Sequence, residues 1–275
     1  MKNNLIDMNH KTLTSKISGL KEHYHAGYEM IFITEGKSEF TIEDKVFTYE
    51  KNSLLFLNDL EKHKMNPLDI PYSRYMVIVD SNYLDSIIKD NILLSIFKNR
   101  TNEDNNGFKI KEQHIEFITS TLEDLRGIFS NQSEFWEMEF MAELNILLVF
   151  LFRNYPEQFP INRIEKKEER ILNVQSFIDA NFKDDIHLDL LVDTFFISKY
   201  YLCHSFKEVT GFTINQYILL KRISYSKNLL YFTNKNVTEI ALDCGFNSQS
   251  SFIRSFKQKE GRTPLQFRKY YRASD

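Results

Sequence analysis

Two groups of side chains in this sequence are of types that do chemistry at short range. Near the start, His23, His25, Glu29 and His63 combine three imidazoles with one carboxylate. Near the end, Gln249, Ser250, Ile253 and Arg254 bring together an amide, a hydroxyl, a branched alkyl group and a guanidinium. On a strand His23 and His25 would share a face, because side chains alternate, and imidazole suits Fe, Ni, Cu or Zn. With His63 they offer a two-histidine, one-carboxylate metal set; a part in the fold or in an effector pocket is the other option. The second group has the chemistry of base edges: Gln pairs bidentately with adenine, Arg with guanine, and an alkyl group meets a thymine methyl.

The elements that must carry the second group are legible as a repeat. Shifting residues 198–222 by fifty positions aligns Ser198 with Ser248, Ser205 with Ser255, Phe206 with Phe256 and Lys207 with Lys257. Gly211 aligns with Gly261, Thr213 with Thr263, Gln216 with Gln266 and Arg222 with Arg272. Each copy has a mechanical logic. Ser198 and Ser248 are helix N-caps, and Gly211 and Gly261 stand where a helix ends at positive φ. Thr213…Gln216 and Thr263…Gln266 are capping boxes that open the next helix, the second with Pro264 at its first position. Leu202 and Phe206, like Phe252 and Phe256, lie four apart and bury one face. Tyr200, Cys203 and His204 then remain outward in the first helix, and Gln249, Ser250, Ile253 and Arg254 in the second. Lys199, Lys207 and Lys257 suit phosphate contacts, which position without specifying; the plain alternative is a solvated face. Upstream of the later copy, Val237–Phe246 reads as a short helix closing at Gly245, with small Ala241 permitting a close crossing: a helix-turn-helix pattern. In the earlier copy Leu188–Ile197 takes this place, with Val192 and Phe196 replacing the small residues.

The residues Arg222-Ile223 to Leu229-Leu230, Val237 to Ala241, Cys244-Gly245-Phe246, Gln249-Ser250, Phe252, Arg254, Phe256-Lys257 and Thr263-Pro264…Phe267-Arg268 closely resemble the signature of AraC/XylS-type transcription regulators. The resemblance covers roughly residues 168–272. It implies two helix-turn-helix units joined by a long helix, here Ile214–Tyr231, whose recognition helices enter successive major-groove segments about 34 Å apart. It also implies double-stranded DNA and RNA polymerase as partners, activation as the commoner mode, and a front domain that senses a small molecule or dimerises.

The front half reads as β. Met30–Ile33, Glu39–Ile42, Val46–Tyr49, Ser53–Leu57 and Tyr75–Val79 are short apolar or alternating runs separated by polar turns. From residue 81 the period becomes helical, with Ile115, Ile118, Leu122 and Leu125 on one stripe. A more apolar helix, Phe135–Phe152, is a candidate dimer contact, or else packs on the barrel. His23-x-His25-x3-Glu29-x6-Gly36 resembles the first motif of cupin barrels, although Asn52-Ser53 stands where their second motif has Pro-Gly. We assign His23, His25, Glu29 and His63 to an effector pocket, with no metal or other cofactor. Two prolines and the charged run Glu165–Arg170 suggest a linker between domains 1–160 and 166–275. The expected fold class is α+β: a cupin-like barrel with a helical dimerisation segment, then an all-α double helix-turn-helix domain.

Composition agrees with this division. Residues 198–275 hold 13 Lys and Arg against 5 Asp and Glu, whereas residues 1–164 hold 18 against 25. A basic tail on an acidic body is the footprint of a module that meets phosphate. Two cysteines, Cys203 and Cys244, are too few for a disulfide framework; they are redox sensors or inert, and Cys244 lies on the inward side of its helix. No signal peptide or membrane span is read, so a cytoplasmic protein is expected, and the resemblance implies a homodimer that is not an enzyme. The alternative is a metal-dependent cupin enzyme fused to a DNA-binding module, and a third reading has a front domain without a ligand.

Overall fold

The computed structural model describes residues 5–15, 22–25, 27–88, 91–98, 106–159 and 166–272. The chain divides into two compact units, Asn3–Ile161 and Asn162–Asp275, apart from the first two residues. Among the described residues the first unit holds eight strands: β1 (Ile6–Leu13), β2 (Tyr28–Glu35), β3 (Lys37–Ile42), β4 (Lys45–Glu50), β5 (Ser53–Leu57), β6 (His63–Pro67), β7 (Tyr72–Val79) and β8 (Gly107–Lys109). They form an antiparallel five-stranded sheet in the order β1-β7-β2-β5-β8 and a three-stranded sheet in the order β4-β3-β6. The sheets share an apolar interior. Leu13, Ile31, Ile33, Leu55, Leu57 and Tyr72 come from one sheet and Phe40, Ile42 and Tyr49 from the other.

Period-2 alternation sends the other side chains of the larger sheet outward. There Met8, Met30, Phe32, Leu54, Phe56, Tyr75 and Val77 pack with the helices. Those helices are α1 (Ser81–Ile87), α2 (Asn91–Lys98), α3 (Glu112–Asn131) and α4 (Trp136–Asn154). In α3 the expected stripe buries Ile118, Leu122 and Leu125. In α4, Phe140, Met141, Leu144, Leu147, Leu148 and Leu151 are buried, while Phe135, Met138 and Ile146 stay exposed on the opposite side.

Several expectations need correction. Strands β1, β6 and β8 have weak local signatures: β1 carries Asp7, Asn9, His10 and Lys11, and β6 is His-Lys-Met-Asn-Pro. Pairing, not propensity, makes them strands. His23 and His25 lie in an irregular segment before β2, where His23 forms an isolated bridge with His63. Of the expected linker, residues 160–165 fall outside the described residues, and Pro156–Gln158 before them form a short 3-10 helix. The linker's charged part, however, opens a helix, α5 (Lys166–Asn181). Glu, Lys and Arg are good helix formers, and Ile171, Val174 and Ile178 then give that helix one buried face.

The second unit continues with α6 (Leu188–Phe195), α7 (Lys199–Thr210), α8 (Ile214–Phe232), α9 (Val237–Asp243), α10 (Gln249–Glu260) and α11 (Pro264–Arg272). The caps are those the repeat demands. Ser198 accepts from the Tyr201 backbone N–H and Ser248 from that of Ser251. Gly211 and Gly261 end α7 and α10 at φ 77° and 69°. Capping boxes form at Thr213/Gln216 and at Thr263/Gln266. The joining helix α8 is held from within: Lys221 Nζ lies 3.1 Å from Asp179 of α5, which also accepts from the Tyr217 hydroxyl at 2.9 Å.

Two arginines clamp the loops that lead into the helix-turn-helix units. Arg222 donates to the carbonyls of Phe182 and Asp184 before α6, and Arg268 to those of Leu230 and Lys235 before α9. The turn of the later unit packs against the first of these loops. At Gly245, φ is +80° and an added Cβ would stand 2.2 Å from the Lys183 carbonyl oxygen. Gly245→Ala therefore combines a left-handed backbone with a backbone collision. It should cost about 2 kcal/mol or more, measured as a shift in chemical denaturation of the full chain followed by helical circular dichroism.

Candidate nucleic-acid interface and barrel cluster

In α10, Phe252 and Phe256 are fully buried, against a core that includes Ile223, Ile240, Ala241, Cys244 and Phe246. The helix is thereby fixed in rotation. Gln249, Ser250, Arg254 and Lys257 are all exposed, and Arg254 makes no ion pair with another described residue. Ile253 departs from expectation: it is half-buried and packs against that core, so only part of its side chain faces out. In α7, Leu202, Ser205 and Phe206 are buried, and Tyr200, Cys203, His204, Lys199 and Lys207 are exposed. Tyr200 stacks on His204 with ring centroids 6.0 Å apart, one turn along the same face. Lys199 is drawn 3.0 Å from Asp189 of α6, an exposed pair that phosphate would readily replace. Burial pushes the Cys244 thiol up to about 12, which makes it inert as a redox group.

Both helices thus present an N-terminal, hydroxyl-capped end and an outward polar face. Such a helix suits a groove: its first turns carry side chains toward base edges while lysines further along meet phosphate. Phe196 sits at φ 52° and is 91% exposed, in the place that Gly245 holds in the later unit.

In the front unit, the structure brings three of the four expected residues together. His25 Nε2 lies 2.9 Å and His63 Nε2 3.2 Å from the same oxygen, Oε2 of Glu29. One ligand atom from each of the three falls within 4.8 Å of the others, so this set has the donors for a divalent ion. His23 is more exposed, its ring 4.3 Å from that of His63. The second nitrogen of His63, Nδ1, is 2.9 Å from the Glu61 carbonyl oxygen. Both His63 nitrogens therefore face acceptors, which asks for the doubly protonated ring. Electrostatics agree. Burial alone would lower the His63 pKa, but the Glu29 carboxylate outweighs it and raises it. Burial likewise pushes Glu29 up, but the hydrogen bonds of His25 and His63 hold its carboxyl well below the usual range.

Sequence reasoning passed over a further group on the same inner surface. Arg74 follows Tyr72 by two residues on β7 and so faces the interior, its guanidinium carbon 6.0 Å from the Tyr72 ring centroid. Its Nε and Nη1 are closed to solvent and have no hydrogen-bond partner among the described residues. The alternation of Tyr72, Arg74 and Met76 could have flagged it.

Comparison with known proteins gives a consistent picture. Residues 18–133 match the profile of an AraC-like ligand binding domain, and residues 191–270 that of a helix-turn-helix domain. The chain is 24% identical over 247 residues to the Msm operon regulatory protein of Streptococcus mutans, covering 88% of this chain and 84% of that protein. It is also 24% identical to the HTH-type transcriptional activator RhaS of Mannheimia succiniciproducens, covering 90% and 88%. Among solved structures, apo ToxT of Vibrio cholerae superposes with a TM-score of 0.62 at 15% identity over 97% of both chains, a likeness of fold.

The His63–Glu29 pair makes front-unit stability depend on pH in both directions. The raised His63 pKa gives stability present below its ordinary value of 6.5 and lost as pH rises through the folded value. The lowered Glu29 pKa gives stability present above its ordinary value of 4.5 and lost as pH falls through the folded value. With chelator present, the pair's contribution should be greatest between about pH 4.5 and 6.5. Melting followed by Trp136 fluorescence should show an alkaline decline that Glu29→Gln flattens.

Proposed function

The chain belongs to the AraC family of transcription regulators, and from that premise we propose that it reads an operator with α7 and α10 together. The observation that carries this is the pair of N-capped helices whose buried faces leave Gln249, Ser250, Arg254 and, in part, Ile253 outward in one, and Tyr200, Cys203 and His204 in the other. Arg254 and Gln249 make the base contacts that specify. Lys199, Lys207 and Lys257 engage phosphates and set register. Bound on one face of the duplex, the protein activates transcription by engaging RNA polymerase.

The front unit takes a small-molecule effector between its sheets and pairs two copies. The exposed side of α4, with Phe135, Met138 and Ile146, is the surface for that homodimer; the buried side already packs against α3 and α2 in the core beside the larger sheet. The protein works in the cytoplasm and is not an enzyme; no helix among the described residues is long and apolar enough to cross a membrane. One observation favours a second reading, a metal-dependent cupin activity: the gathered His25, Glu29 and His63. That reading requires stoichiometric divalent metal in the purified protein, lost in His25→Ala.

Arg254→Ala should weaken operator binding by about 1–3 kcal/mol and relax specificity at one base pair, while Lys257→Ala weakens all sequences alike and lowers the salt slope by about one. Titrations on operator and random duplexes at stated salt check this. An equal loss on both duplexes for Arg254→Ala would make it a phosphate contact.

A further inference from the structure

We propose that the inner face of the β1–β7 pair is a binding site for a small carboxylate carrying a hydroxyl or ammonium group, with Arg74 as its anchor. The proposal rests on the effector reading above and narrows it to a chemical class.

The register defines the site. Strand β1 pairs with β7 without a break, setting Leu13 opposite Tyr72, Lys11 opposite Arg74, Asn9 opposite Met76 and Asp7 opposite Ile78. Leu13, Tyr72 and Met76 belong to the interior cluster between the sheets. Alternation therefore places Arg74, Lys11 and Asn9 on that same inner face. Two cations stand directly across one strand pair, an arrangement that costs stability when nothing lies between them. No described acid pairs with either one. The Arg74 Nε and Nη1 protons are shut away from solvent without an acceptor among the described residues, and Asn9 Oδ1 is enclosed without a donor among them.

Unfilled donors and an unfilled acceptor on one small surface describe a ligand in negative. A guanidinium fork is shaped for the two oxygens of a carboxylate, and Lys11 adds charge from the open side. Asn9 lies diagonally from Arg74 across the pair, roughly 7–8 Å away, within reach of a hydroxyl or ammonium donor on the same molecule. Ile31 and Ile33 of β2 face the same interior and receive the remaining apolar part. Asp7, further along the same inner face, disfavours a second negative charge on the ligand, which selects a carboxylate over a phosphate ester.

The test is thermal unfolding of the full chain followed at Trp136, the sole tryptophan, which lies in the front unit. The probes are α-hydroxy acids, α-amino acids and aldonic acids, each with its neutral amide, together with phosphate monoesters. Members of the carboxylate set should raise the melting temperature by about 5–10 °C at roughly a hundredfold excess over Kd, and their amides should not. Arg74→Met should leave the ligand-free melting temperature unchanged or higher, because it removes buried donors that have no partner. It should weaken carboxylate binding by about 10- to 150-fold. A lower ligand-free melting temperature in Arg74→Met would overturn the proposal by making Arg74 structural. Shifts from neutral compounds that survive Arg74→Met, or from phosphate esters alone, would overturn the carboxylate site and leave the effector reading standing. No shift from any probe would overturn the carboxylate site while leaving the effector reading standing.

Discussion

A glycine without room for a methyl group holds the two helix-turn-helix units in one arrangement. Gly245, at positive φ, lets the turn between α9 and α10 press against the Lys183 carbonyl, in the loop that introduces the earlier helix-turn-helix. Arg222 fastens that same loop through two carbonyls and lies 5.9 Å from the Phe246 ring centroid. The loop, α8 and the later turn thus meet at one point. Around it the buried Lys221–Asp179 pair ties α8 to α5, and Lys227, 3.3 Å from Glu260, ties α8 to α10. Isolated buried pairs are weak sources of net stability, yet breaking one is costly. Their value here is geometric: the first holds the joining helix α8 to α5, and the second holds α10 to α8.

The front unit uses its sheets differently on their two sides. The outer side of the larger sheet is filled by helices, with aromatic and aliphatic side chains interlocked. The inner side mixes apolar residues with groups that are poorly served by the protein alone. At one end Glu29 is satisfied by two histidines; along the β1–β7 pair, Arg74 and Asn9 keep unfilled bonds. A fold seldom encloses such atoms without use, and on this contrast rests the proposed effector site of the inner face.

Much of the second unit was legible because its signals are local. A serine before a helix, a glycine after it and a Thr-x-x-Gln box at the next start are each set by backbone groups a few residues away. Repetition after fifty positions made them unmistakable. The fold class of the front unit was legible from alternating runs, but β1, β6 and β8 were not, because polar strands owe their state to partners distant in sequence. The same limit hid Arg74, whose situation depends on the β1–β7 register. Ile253 was read as fully outward because its contact with the core involves other helices. The run Glu165–Arg170 looked like a linker by charge, yet its residues are good helix formers, and the buried face that decides the matter begins only at Ile171.

The central claim is rigid joint presentation of α7 and α10 to neighbouring segments of one groove. The most direct measurement is the affinity of the full chain for a footprinted operator, before and after inserting about half a helical turn (~5 base pairs) between its two contacted segments. With the helices locked through Gly245, Arg222 and α8, the insertion should reduce affinity to that of a duplex carrying one segment alone. Undiminished affinity for the lengthened operator would contradict the account.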